Sequence, residues 1–433
     1  AFLDDTGVNG AGAVYILSMK TDGTVSTSTK IASATNGGPT LADSDRFGGS
    51  VSSIGDFNRD GVKDIVVGAL MDDSGGTNRG AVYILSLRTN GTVSTSTKIA
   101  SATNGGPTLV DSDFFGASVS SIGDFNKDGI EDIAVGANGD DSGGSARGAV
   151  YILSMKIDGT VSTSTKIASG TNGGPTLADS DGFGRSFSYI GDLNKDGVGD
   201  LAVGADATAG IGGAVYILFM NNNGTASTTV KIASNSNGGP TLATGDGFGT
   251  SVSSIGDLNG DGIEDIAVGS YSDDTGGVDR GAAYILFMNI NGTVNSFVKI
   301  ASAINGGPTL VDYDYFAYSL TSIGDLNGDG MEDLAVGANN ESGGSSRGVF
   351  YVFFMSKSIY FSKLNSGIGT STPNSPFQIA SNARSQLIIS EPGAGLNLKH
   401  RYASTTAGAF TLGVLNDALS SFTEHFRITS TGS

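Results

Sequence analysis

Apolar positions in this 433-residue chain gather in short continuous runs, with no helical stripe. Ile65-Val66-Val67-Gly68-Ala69 and Ala81-Val82-Tyr83-Ile84-Leu85 have the length and composition of strands covered on both faces. The segment before them, Phe47-Gly48-Gly49-Ser50-Val51-Ser52-Ser53-Ile54, is full of small residues and suits a strand where chains crowd together. The segment after them, Val93-Ser94-Thr95-Ser96-Thr97-Lys98-Ile99, is polar and Thr-rich, as a solvated edge strand should be. We name these strands A, B (Asp64 to Ala69), C and D. The pattern predicts four antiparallel strands per unit and no helix.

The unit repeats. The loop joining A to B begins with Asp at 56, 124, 192, 257 and 325, in steps of 68, 68, 65 and 68 residues. Five whole units are expected at about 37–104, 105–172, 173–237, 238–305 and 306–363, preceded by a half unit at 1–36 that matches only strands C and D. Strands C and D are joined by Asn90-Gly91, Asp158-Gly159, Asn223-Gly224 and Asn291-Gly292, the dipeptides that a type I′ hairpin turn prefers. A sheet running small, buried, buried, polar from inside to outside cannot bury its two faces alone, so neighbouring units must stack as the blades of a β-propeller. The expected fold is all-β: five full repeats plus a half, making six or seven blades if the ring closes. Antiparallel order places the A–B and C–D turns on one face and the B–C and D–A loops on the other.

Each A–B loop reads Asp-x-Asn-x-Asp-Gly-x-x-Asp. The copies are Asp56, Asn58, Asp60, Asp64; Asp124, Asn126, Asp128, Asp132; Asp192, Asn194, Asp196, Asp200; Asp257, Asn259, Asp261, Asp265; and Asp325, Asn327, Asp329, Asp333. Oxygen side chains at alternate positions of a tight loop converge on one hard cation. The Gly permits the turn, and the residue after it (Val62, Ile130, Val198, Ile263 or Met331) offers its carbonyl. Such a set suits Ca²⁺, which takes about 6–8 oxygen ligands. The absence of Cys, and of His from every loop, argues against zinc and copper. The loop follows an EF-hand for six positions and then departs, because its last acid comes at the ninth position and leads into a strand. About five structural Ca²⁺ ions are expected.

Composition narrows the picture further. Net charge is −19, and the repeated Asp positions of the loops account for fifteen of the 43 acidic residues, so much of the acidity has a local purpose. No basic stripe exists to neutralise a nucleic acid, and no apolar run is long enough to span a membrane as a helix. The chain opens in what looks like mid-repeat, since Asp4-Asp5-Thr6-Gly7 matches Asp273-Asp274-Thr275-Gly276, and is read as a fragment or processed form.

Phe-Gly at the start of strand A (Phe47-Gly48, Phe115-Gly116, Phe183-Gly184, Phe248-Gly249), the acidic loop, and Val-Gly-Ala together resemble the FG-GAP repeat. That is the blade unit of the integrin α-subunit propeller and of many bacterial surface proteins. The resemblance covers residues 1–363. It implies a seven-bladed propeller that binds Ca²⁺ in its A–B loops and partners on the opposite face. The fifth unit departs from it, with Phe316-Ala317 in place of Phe-Gly.

Residues 364–433 break the period and form a small β-rich appendage, with strands expected around Gln386–Ile389 and Ala409–Leu412. Ser366-Gly367-Ile368-Gly369-Thr370 and the Arg427-Ile428-Thr429-Ser430-Thr431-Gly432 ending resemble segments of phage tail fibres and long bacterial surface proteins. The only histidines, His400 and His425, lie in this appendage, so no Ser-His-Asp arrangement can be built within the repeats. Paired carboxylates recur in register (Asp72-Asp73, Asp140-Asp141, Asp273-Asp274). Each is followed by an Arg (Arg79, Arg147, Arg280), and local ion pairing is the expectation there.

Partner binding is expected where repeat symmetry fails. The third unit shortens its B–C loop to the segment 206–212. The fifth enters strand A through Asp312-Tyr313-Asp314-Tyr315, and Tyr313 and Tyr315 are candidate contacts for a protein or glycan ligand on the B–C/D–A face. The expected function is a Ca²⁺-stabilised extracellular or cell-surface module for adhesion or ligand binding, without catalysis. The alternative is a knob or spacer of a surface fibre, a homo-oligomer assembled through residues 364–433.

Overall fold

Strand B forms because its apolar residues find cover on both sides. All five residues of Ile65–Ala69 are buried, as are those of Ile133–Ala137, Leu201–Ala205 and Ile266–Ser270. The computed structural model describes residues 4–5, 7–20, 24–207, 210, 212–339 and 348–355 in full, and six strand segments between residues 366 and 428 by their backbone.

The chain begins with a two-stranded sheet, β1 (Ala13–Met19) and β2 (Val25–Ala32). Four antiparallel sheets of four strands follow in sequence order. They are β3 (Phe47–Ser53), β4 (Ile65–Ala69), β5 (Ala81–Leu87) and β6 (Val93–Ala100); then β7 (Phe115–Ser121), β8 (Ile133–Ala137), β9 (Ala149–Met155) and β10 (Val161–Ala168). The third sheet holds β11 (Ser186–Tyr189), β12 (Leu201–Ala205), β13 (Ala214–Met220) and β14 (Ala226–Ala233). The fourth holds β15 (Phe248–Ser254), β16 (Ile266–Ser270), β17 (Ala282–Met288) and β18 (Val294–Ala301). A three-stranded sheet comes last: β19 (Phe316–Gly324), β20 (Asp333–Ala338) and β21 (Val349–Phe353). Its expected fourth strand falls at 356–363, outside the described residues. The sheets are blades of a β-propeller, and the described residues contain no helix.

The inner strands surround a central cavity of about 450 Å³ lined by serines and apolar side chains, with Arg46, Arg185 and Tyr318 also on its wall. Neighbouring blades meet backbone to backbone. Gly80 bridges Phe115, Gly148 bridges Phe183, Gly213 bridges Phe248 and Gly281 bridges Phe316. The Ser118 hydroxyl donates to the Gly184 carbonyl of the next blade at 2.8 Å, and a Cβ on Gly136 would lie 2.1 Å from that same oxygen. Each Phe is fully buried against the Tyr of strand C, Phe115 meeting Tyr151 edge-on at 5.6 Å. The fifth blade keeps this seat without its glycine, because Ala317 adopts φ 65° where Gly249 has 96°.

A buried carboxylate anchors each D–A loop: Asp45, Asp113, Asp181, Asp246 and Asp314. Asp113 accepts the Val110 amide at 2.8 Å through one oxygen, while its other oxygen has no partner. Burial pushes the Asp113 carboxyl up to about 6, with the nearby Asp140 and Asp141 charges adding to it and the Val110 amide and Lys166 opposing. Asp45 is raised to about 6 by the same burial, helped by Asp72 and Asp73 and opposed by the Ala42 amide and Lys98.

Residues 357–433 form a separate unit. It holds a parallel pair, β22 (Ser366–Ile368) and β23 (Phe377–Ile379), and an antiparallel sheet of β24 (Ser385–Ser390), β25 (His400–Thr406), β26 (Ala409–Leu415) and β27 (Phe422–Ile428). Both sequence-expected strands are present, and both histidines lie on strands.

Gly136→Val forces the neighbouring blade away and should destabilise by several kcal/mol, whereas Ser118→Ala removes one hydrogen bond and should cost about 1 kcal/mol; urea unfolding compares them. Because Asp113 binds its proton more tightly folded than unfolded, its contribution is full below about pH 4 and lost as pH rises to about 6. Asp113→Asn should therefore gain stability relative to the parent, by about 1–3 kcal/mol, between pH 4 and 7. Paired thermal melts across that range measure it.

Candidate metal loops and the opposite face

The A–B loop wraps its polar side chains around its own amides. In the first copy Asp56 accepts from the Asp60 and Gly61 amides at 2.8 and 2.9 Å, and Asn58 Oδ1 accepts from the Asp60 amide at 2.9 Å. The Asn58 amide group donates to Asp60 at 2.8 Å, and Asp60 accepts from the Val62 amide at 2.9 Å. Gly61 has φ 89°, the left-handed conformation the turn demands. The same bonds recur around Asp124, Asp192, Asp257 and Asp325. Val62, Ile130, Val198 and Ile263 pack their side chains against the core, and Met331 is buried.

The fourth acid of each loop behaves differently. Asp132 is fully buried; one oxygen accepts the Met155 amide of β9 at 2.9 Å, and the other accepts the Phe125 and Asn126 amides at 3.1 Å. Asp64 reaches Leu87, Asp200 reaches Met220, Asp265 reaches Met288 and Asp333 reaches Met355 in the same way. Burial pushes the Asp132 and Asp200 carboxyls up to about 6 and Asp265 to about 7, against the pull of those amides, and the like charge of Asp128, Asp196 or Asp261 adds to the rise. Among the described residues no three acidic side chains gather around one point closely enough to hold a metal ion. The side chains are all oxygen donors on one tight turn, which is chemistry suited to a hard cation. Binding one would require Asp56, Asp60 and Asp64 to turn from these amides toward a common centre.

The arginines after the paired carboxylates do not pair locally, contrary to expectation. Arg79 reaches Asp111 at 2.8 Å, Arg147 reaches Asp179 at 2.8 Å and Arg280 reaches Asp312 at 2.9 Å, each bridging to the D–A loop 32 residues further on. The local carboxylates are held from strand D instead. Lys98 pairs with Asp72, Lys166 with Asp140 and Lys299 with Asp273, each beside a buried Tyr hydroxyl that donates to the same Asp. Sequence proximity misleads here because strand D runs back alongside C, as the Tyr83↔Lys98 pairing shows, and sets its Lys beside the B–C loop.

On the opposite face Tyr313 is half exposed and stands 6.4 Å from Tyr315. Tyr315 meets Tyr271 at 5.9 Å, and Tyr271 meets Tyr318 at 5.6 Å. Across the cavity mouth Arg185 donates to the Tyr318 hydroxyl at 3.1 Å and pairs with Asp206 at 3.4 Å. Asp206 opens the shortened loop that the sequence marks as a break in symmetry, but sequence reasoning missed Tyr271 and Arg185. The signal was present at the position after Phe-Gly, which carries Gly49, Ala117, Arg185, Thr250 and Tyr318 in successive blades. Part of the shortened loop, residues 208, 209 and 211, lies outside the described residues.

Comparison with known proteins agrees with this architecture. The FG-GAP repeat matches residues 47–85, 115–153, 248–286 and 316–353, in the first, second, fourth and fifth full units. The chain is 35% identical to human integrin alpha-6 over 174 residues, which cover 38% of this chain and 14% of that protein. It is 34% identical to integrin alpha-3 of Cricetulus griseus over 198 residues, 44% of this chain and 17% of that protein. Mouse integrin alpha-11 is 35% identical over 165 residues, 37% of this chain and 12% of that protein. The matched stretches thus span only a small part of each relative's length. The chain carries the FG-GAP repeat in four places, is folded as a β-propeller and is similar in sequence to the integrin α-subunits.

Proposed function

We propose that the chain is a calcium-stabilised, extracellular or cell-surface propeller that binds a protein or glycan ligand through its B–C/D–A face and performs no catalysis. The observation that supports this reading most is the coexistence of two unlike faces. One carries the same oxygen-donor loop five times, while the other carries the side chains that differ between blades. Repetition suits a structural ion, and divergence suits a unique ligand. The similarity to integrin α-subunits favours an adhesive role and a surface location.

The ion acts on stability. Asp56, Asn58, Asp60 and Asp64, with the Val62 carbonyl, and their counterparts in the other four loops, would supply the ligands. Neutralising the mutually repelling carboxylates would then lock each A–B hairpin to its sheet. The Tyr271, Tyr313, Tyr315 and Tyr318 cluster supplies aromatic area with few torsions to freeze, beside the Arg185–Asp206 pair.

Removing divalent ions with EDTA should lower the melting temperature, and Ca²⁺ should restore it. Calorimetric titration should count about five sites, and Asp128→Ala should remove one; a melt unmoved by EDTA would contradict the reading. For the ligand face, Tyr313→Ser with Tyr315→Ser should weaken capture on a glycan or extracellular-protein array at least tenfold while leaving the Ca²⁺ titration intact. Undiminished capture by the double variant would remove these tyrosines from the site.

A further inference from the structure

Four strand-D lysines share one arrangement. Lys30 pairs with Asp4, Lys98 with Asp72, Lys166 with Asp140 and Lys299 with Asp273. In each case the Tyr hydroxyl of the neighbouring strand C donates to the same carboxylate, which comes from the segment ahead of that strand. Every acid therefore accepts from one ammonium and one phenol.

The third full unit keeps the lysine and the tyrosine and loses the acid. Lys231 lies opposite Tyr216 in the register that sets Lys166 opposite Tyr151. Its ammonium stands 5.4 Å from the centre of the Tyr216 ring, against 5.5 Å for Lys166 and 5.3 Å for Lys299 over their own tyrosines. The B–C loop is three residues shorter here, and its one acid, Asp206, turns to Arg185 at 3.4 Å. Among the described residues no carboxylate pairs with Lys231. The Tyr216 hydroxyl is buried without a hydrogen-bond partner, whereas the hydroxyls of Tyr83, Tyr151 and Tyr284 each have one.

Two donors thus keep the places they hold elsewhere in the ring, with no acceptor between them. Burial, with the charge of Asp181 adding to it, pushes the ionisation of the Tyr216 phenol up, so the group stays a donor. A buried donor without an acceptor is costly, and an ammonium beside it makes an anion the natural complement. The charge of Asp181 opposes that anion. Asp113 acts on Tyr151 in the same way, and Asp140 is held there all the same.

We propose that Lys231 and Tyr216 form a carboxylate-binding subsite on the B–C/D–A face, taking an acidic group of the ligand where the other blades use their own Asp. The subsite belongs to the ligand face proposed above and rests on that reading. Lys231 is half-buried and gives the approach from solvent, while Tyr216 forms the floor. The size of the occupant is set by Asp72, Asp140 and Asp273: one planar carboxylate fits between the two donors. An acidic side chain of a protein and the acid group of a sugar both offer that chemistry.

The test titrates the full chain, with Ca²⁺ present and ionic strength fixed, against N-acetylaspartate amide as a peptide acid and glucuronate as a sugar acid. Binding is read as a saturable rise in melting temperature. At least one acid should give it, the tighter one naming the source, and N-acetylasparagine amide should not. Lys231→Met should weaken binding at least tenfold and Tyr216→Phe at least threefold. In the ligand-free chain Tyr216→Phe should leave the urea midpoint unchanged or raise it, whereas Tyr151→Phe, which strips a donor from Asp140, should lower it. No saturable shift with either acid, an equal shift in Lys231→Met, or a Tyr216→Phe loss as large as that of Tyr151→Phe would overturn the subsite. Full array capture by Lys231→Met, with capture lost in the Tyr313/Tyr315 double variant, would overturn it too while leaving the ligand face standing.

Discussion

One buried carboxylate per blade ties the acidic loop to the sheet, and much else depends on it. Asp132 accepts two amides of its own A–B loop and the amide of Met155, the last residue of β9 and 23 residues further along the chain. An ionised group in so dry a place is costly unless several donors face it, and the elevated affinity of Asp132 and Asp265 for a proton shows that the donors do not fully offset burial. A cation held by the same loop would supply the missing positive charge. Stability and the proposed ion occupancy therefore meet at one side chain, which makes the hairpin the element through which calcium would act on the whole blade.

The second constraint is the close approach of neighbouring blades. Carbonyl oxygens of one blade sit directly over the glycine Cα of strand B in the blade before it, with Ser50, Ser118, Ser186 and Ser251 donating across the gap. The small residues of strand A exist for this reason. With so little room, the blades stack by backbone contact, each strand A Phe packs edge-on against the Tyr of its own blade, and the larger aliphatic side chains fill the space between sheets.

How much of this was legible in the sequence depended on the range of the interaction. Strand order, the hairpin turns and the position of every acidic loop followed from period and composition, because those features are local and repeat in register. Partners across blades did not. Arg79 was expected beside Asp72-Asp73 and instead crosses to Asp111, while Lys98 takes Asp72 by way of the antiparallel return of strand D. The orphaned oxygens of Asp113, Asp181 and Asp314 carried no sequence signal at all, since an Asp two residues ahead of the strand A Phe reads as an ordinary loop acid until its burial is known. Tyr313 and Tyr315 stood out as breaks in the pattern, but Tyr271 and Arg185 join them only through the ring, from blades 44 and 130 residues away from Tyr315.

That last point bears on where such a fold can evolve a binding site. Residues of the A–B loops are committed five times over to the same turn, so a change there disturbs a hairpin that the sheet relies on. The residue after Phe-Gly is under no such obligation. It lies at the cavity mouth, its backbone is already fixed by the inter-blade bridge, and its side chain is free to be Gly49, Ala117, Arg185, Thr250 or Tyr318. Five such positions converge on one rim from sequence separations of 65 to 68 residues. The propeller thus separates a repeated, load-carrying face from a rim that varies blade by blade, and a ligand that reads the rim reads all the blades at once.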